Sequence, residues 1–92
     1  MVVLRIEHPV PDYERWKEAF DSDPVDRKGS GVRRYSVMRA VDDPNYVVID
    51  SEFDDLREAE AMLGALRELW GRVDVMRDPQ TRIVEVIETR EY

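Results

Sequence analysis

A chain of 92 residues with a formal net charge of −7 suits one domain, 1–92, with a core of its own, yet is small enough to gain from a partner surface. Cysteine is absent, which excludes disulfides, thiolate metal sites and a Cys nucleophile. The acid excess argues against a nucleic-acid backbone as partner, because phosphate binding relies on surplus cations, and the Arg33-Arg34 pair does not reverse it.

Val2 to Leu4 is the one apolar start, far too short for a secretory signal or a membrane span, so a soluble cytoplasmic protein is expected. Val2 to Glu7 alternates as a first strand, with Val2, Leu4 and Ile6 on one face. His8-Pro9-Val10-Pro11 breaks it, since proline cannot continue a ladder. Asp12 is placed to cap a helix whose Tyr13, Trp16 and Phe20 recur at helical spacing as a buried aromatic stripe. Asp21 to Ser30 then reads as a polar loop, with Asp23-Pro24 stopping the helix.

Two alternating runs, Tyr35 to Val41 and Val47 to Phe53, flank Asp43-Pro44-Asn45 and predict a hairpin. The expected register sets Val41 opposite Val47, Tyr35 opposite Phe53 and Met38 opposite Asp50. Asp54 is the expected cap of a second helix whose apolar arc runs from Leu56 through Met62, Leu66 and Trp70 to Val73. Gly64 falls on its polar side, and Gly71 marks its end. Arg72 to Gln80 connects to a last strand, Arg82 to Glu88.

The order β, α, β, β, α, β predicts an α+β, ferredoxin-like fold: a four-stranded antiparallel sheet, strands one and three central, with both helices on one face. Alternation assigns Tyr35, Val37, Val47, Ile49, Phe53, Val84 and Val86 to the helix side. The open side then receives Val3, Arg5, Glu7, Arg34, Ser36, Met38, Tyr46, Val48, Asp50, Glu52, Ile83, Glu85 and Ile87. That side is too apolar for water and too charged for a core, so a homodimer through this uncovered sheet face is expected, with Arg5 and Arg34 pairing its carboxylates.

Candidate site residues follow from their chemistry. His8 is the one side chain whose ordinary pKa lies near neutrality, which makes it a candidate general base, although a capping role also suits its place at a strand end. Asp50 and Glu52, with Arg34 beside them, put charge in a central strand; they read either as catalytic acid-base groups or as an interfacial salt-bridge network. Trp16, Tyr35 and Trp70 serve either as core or as the walls of a substrate cleft. One histidine cannot assemble a metal site, and no Gly-rich phosphate loop, Ser nucleophile elbow or HExxH pattern occurs.

The runs VPDYERWKEAFDSDP, GVRRYSVMR, DDPNYVVIDSEFD and PQTRIVEVIE, in this order and length, resemble small proteins of the dimeric α+β barrel superfamily, which includes antibiotic-biosynthesis-type monooxygenases and aromatic polyketide cyclases. The resemblance covers nearly the whole chain. It implies two sheets paired into a barrel, a small aromatic ligand held between each sheet and its helices, and no cofactor. Haem-degrading relatives characteristically carry a histidine after the second helix, and this chain has none beyond His8. The resemblance therefore carries no catalytic residue across, and it leaves two readings: a cofactor-independent monooxygenase or cyclase, or a non-catalytic dimer that binds a small ligand or only assembles.

Overall fold

The computed structural model describes residues 1–72 and 78–92. Val73, the expected end of the second apolar stripe, and most of the Arg72 to Gln80 connector lie outside the described residues. The elements are β1 (Val2–Pro9), α1 (Tyr13–Asp21), β2 (Arg34–Ala40), β3 (Asp43–Phe53), α2 (Leu56–Trp70) and β4 (Gln80–Glu85). They form one four-stranded antiparallel sheet in the order β2-β3-β1-β4, so β1 and β3 are central as expected. Both helices pack on the same side, in two adjoining clusters. Leu4, Ile6 and Phe53 meet Ala59 and Met62 of α2, while Val47 and Ile49 meet Tyr13, Trp16 and Phe20 of α1.

The hairpin register differs from the expected one by two residues: Tyr35 faces Ser51 and Met38 faces Val48. Val41 and Asp42 form the loop, Val41 fully exposed, and Ala40 pairs with Asp43. Pro44 has no N–H to give the ladder, so the surplus on β3 is taken up as an irregularity beside Arg39 and Ala40. An even shift keeps every side chain on its face, and the helix-side assignment of β2 and β3 survives it.

The last strand is a correction of another kind. It spans Gln80–Glu85 and pairs Leu4 with Ile83 and Val3 with Val84. Ile83 therefore packs into the α2 cluster and Val84 lies on the open side, the reverse of the alternation expected. Both sets are apolar, so only pairing with β1 could choose between them. Ile87 lies beyond the strand, 84% exposed.

Local chemistry explains the helix starts. Asp12 accepts from the Glu14 amide, as expected; α2 is capped by Asp55, whose carboxylate accepts from Glu58, because Asp54 is engaged by Arg33. The aromatic stripe of α1 is half-buried, and the helix has no fully buried residue. Asn45 does more than turn the chain: its side-chain oxygen accepts from the Tyr13 amide, and its carbonyl accepts from Val10, tying the hairpin to the start of α1. Gly31 adopts φ +99°, which only glycine takes without strain, whereas Gly64 faces open space and nothing in the structure requires glycine there.

Candidate functional site

A cavity of about 280 Å³ lies between the helices and the sheet, where the two packing clusters fail to meet. Its floor is Ile6 and His8 of β1 with Ile49 and Ser51 of β3. Trp16, Ala19 and Phe20 of α1 form one wall, and Met62, Leu66, Leu69 and Trp70 of α2 form the other. Ser22, Pro24, Val25 and Arg27 close the end. Such a mainly apolar chamber with a few polar groups is the ordinary form of a small-molecule site.

His8 is 2% exposed and lines this cavity. Its Nδ1 lies 3.0 Å from the Pro9 carbonyl oxygen. A carbonyl only accepts, so Nδ1 carries the proton and Nε2 holds the free lone pair. Nε2 makes no hydrogen bond among the described residues, nor is it sealed away as an orphaned buried atom. Burial lowers the His8 pKa below its usual value, against the opposing pull of the Pro9 bond, and the imidazole is neutral at physiological pH. Its ring meets Trp16 edge-on at 6.1 Å between centroids, and Trp16 continues the aromatic row to Phe20 at 5.1 Å.

This arrangement has a consequence for stability. Because the folded-state pKa of His8 is depressed, the unfolded chain takes up a proton first as pH falls. The contribution is intact above the unfolded value of about 6.5 and is lost as pH drops through that value toward and past the folded one. Urea unfolding at neutral and mildly acidic pH should show a smaller acid loss in His8→Phe than in the native chain; equal losses would refute the assignment.

The other candidates divide between the faces of the sheet. Trp16 and Trp70 line the cavity with His8, whereas Tyr35 stands one residue removed, edge-on to Phe20 at 5.3 Å. Asp50 and Glu52 do not join them. Asp50 pairs across the ladder with Arg5 and Glu52 with Arg34, and both carboxylates point away from the helices. Arg5 grips Asp50 through two bonds of 2.8 and 2.7 Å, Arg34 grips Glu52, and Tyr46 donates to Glu7 at 2.8 Å. The carboxylates Glu7, Asp50 and Glu52 of the open face thus find their partners within one chain, not across an interface as expected. Glu85 is absent from it, because it pairs with Val2 on the helix side. A catalytic grouping of His8 with Asp50 or Glu52 is excluded by the sheet that separates them, and Arg34 likewise lies outside the cavity.

Among solved structures, a candidate antibiotic biosynthesis monooxygenase from Deinococcus radiodurans superposes with a TM-score of 0.75 at 15% identity, covering 100% of this chain and 98% of that one. A variant of SnoaB, a cofactor-independent oxygenase from Streptomyces nogalater, does so with a TM-score of 0.75 at 17% identity over 96% and 94% of the two chains. The chain shares the ferredoxin-like α+β fold of these proteins. A dimeric ferredoxin-like protein from an uncultured marine organism matches at a TM-score of 0.69 and 19% identity, over 97% and 96% of the chains. No family model and no curated protein matches the sequence.

Within this ferredoxin-like fold, sequence reasoning missed Arg27 and Ser51. Arg27 sits in a stretch with no periodicity, and it reaches the cavity only because the loop folds back: Asp23 accepts from the Arg27 amide at 2.9 Å and Ser30 donates to the Val25 carbonyl at 2.8 Å. Ser51 has no motif around it; its helix-side position in β3 was the one available signal. Among the described residues no three His, Cys, Asp or Glu side chains gather as a metal-binding cluster, and no helix is long and apolar enough to cross a membrane.

Proposed function

We propose that the chain works as a homodimer whose two cavities each take a small, largely apolar aromatic molecule, and that His8 removes a proton from it as the first step of a cofactor-independent oxygenation or cyclisation. The observation that carries this reading is the buried His8, with Nδ1 fixed on Pro9 and a free Nε2 lone pair in an apolar chamber. The lowered pKa keeps the imidazole neutral at physiological pH, the form that can accept a proton from an acidic phenol or activated methylene set against Nε2. Trp16 and Trp70 offer planar faces against which a flat anion can lie.

Two outcomes share that proton transfer. In oxygenation, the electron-rich anion reduces dioxygen directly: a ring methylene becomes a carbonyl, one oxygen atom enters the product, and the other leaves as water with the two hydrogens. No outside reductant is needed. In cyclisation, the carbanion attacks a carbonyl of the same molecule and water is lost. The description of SnoaB as a cofactor-independent oxygenase supports the first outcome by analogy of fold.

Dimerisation is supported by the open sheet face. Its carboxylates Asp50 and Glu52 are already matched by Arg5 and Arg34, and near them lie Val48, Met38 and Val84, the last two 38% and 39% exposed. A face with these charges paired and these apolar residues uncovered suits an isologous contact with its own copy. The sparse polar lining of the cavity favours a second reading, a ligand-binding dimer without chemistry.

The test is a panel of reduced polycyclic phenols offered in chelator-treated buffer under labelled dioxygen, with oxygen uptake and product mass followed together. Incorporation of one labelled atom, or ring closure with loss of water, supports the enzymatic reading. Saturable binding with neither change supports the ligand-binding one, and absence of binding removes both.

A further inference from the structure

We infer that Arg27 makes the cavity selective for aromatic carboxylic acids, the carboxylate docking on its guanidinium while the ring lies among Trp16, Phe20 and Trp70. This rests on the ligand-binding cavity proposed above and names the chemical class it takes. Among the described residues that line the cavity, Arg27 alone bears a permanent charge and none is a carboxylate. An apolar chamber with a single fixed cation is complementary to an apolar molecule with a single anionic group.

The guanidinium is held for this task. It lies over the Phe20 ring at 4.0 Å and the Tyr35 ring at 4.9 Å, and Nη1 donates to the Phe20 carbonyl at 2.8 Å. Its backbone is fixed by the Asp23 side chain, and Asp23 itself adopts φ 54°. Asp23 is also the one acid near the cation, but it lies 3.5 Å from Nε and its side chain is 36% exposed, against 15% for Arg27. Nη2 makes no hydrogen bond among the described residues.

A second observation comes from outside the chamber. Arg27 also lines a concavity of about 610 Å³ whose other cations are Lys28, Arg33 and Arg34, with Asp23 the one acid in its lining. Arg33 and Arg34 are matched by Asp54 and Glu52, whereas Lys28 has no ion pair among the described residues. On a chain of net charge −7, an anion approaching this side meets the cation that faces both compartments.

Calorimetric titration with naphthoate and its neutral isostere naphthamide tests the assignment. The native protein should bind naphthoate at least about tenfold more tightly than naphthamide, with the preference shrinking as salt is raised. Arg27→Gln should erase that preference by weakening naphthoate far more than naphthamide, while Arg27→Lys, which keeps the charge and guards against a folding defect, should retain part of it. Equal affinity of the native protein for the two probes, or equal weakening of both by Arg27→Gln, overturns the inference and leaves the cavity reading standing. Failure of both probes to bind removes the cavity reading as well.

Discussion

Exchange of His8 for phenylalanine should lower kcat/KM on any substrate that turns over by about a hundred- to ten-thousandfold, the usual worth of a positioned general base. Phenylalanine keeps a planar ring, its larger size taken up by the cavity that His8 borders, and the Pro9 residue whose carbonyl loses its partner is exposed to water. The fold should therefore survive the exchange. In the native protein kcat/KM should rise with pH through a pKa depressed below the usual histidine value, because only the neutral ring accepts a proton; in His8→Phe that limb should vanish. Asp50→Asn and Glu52→Gln should leave kcat/KM unchanged, since both residues stand behind the sheet. Turnover of His8→Phe within threefold of native would dismiss the base.

Val48→Lys should weaken the dimer by about a hundredfold or more, read as a shift to monomer in sedimentation equilibrium over a dilution series. Val48 faces Met38 and Glu7 on the neighbouring strands, near the middle of the open face, where the Tyr46 hydroxyl already holds Glu7. A two-fold contact would carry the new ammonium group twice, and an unmatched charge withdrawn from water costs several kcal/mol. Cavity binding should persist in the variant monomer, because Val48 lies on the face of the sheet opposite the chamber. A native protein that sediments as a monomer at every concentration would defeat this expectation without touching His8.

Periodicity exposed the helices, the strand order and the helix-side residues of β1 through β3, because apolar spacing records burial directly. Register was less legible. Tyr35 faces Ser51 instead of Phe53 because the chain reverses at Val41 and Asp42, with Pro44 displaced into β3, and both arrangements keep the same residues inside. β4 was unreadable for a related reason: Ile83, Val84 and Val86 are all apolar, so its orientation depends on the partner strand. Alternation put Asp50 and Glu52 on the open face, away from His8, and the structure keeps them there. Arg27 was beyond reach of the sequence, since its position comes from the Asp23 and Ser30 bonds of an aperiodic loop.

β1 has eight residues, and its neighbours carry opposite duties: Leu4, Ile6 and His8 face the helices, the last two lining the chamber, while Val3, Arg5 and Glu7 face the other way. A single inserted or deleted residue there would exchange the two sets and cost both at once, whereas a point change at one parity is insulated from the other. Descendants of such a chain are free to retune what they bind and what they assemble with as independent traits, provided the strand keeps its count.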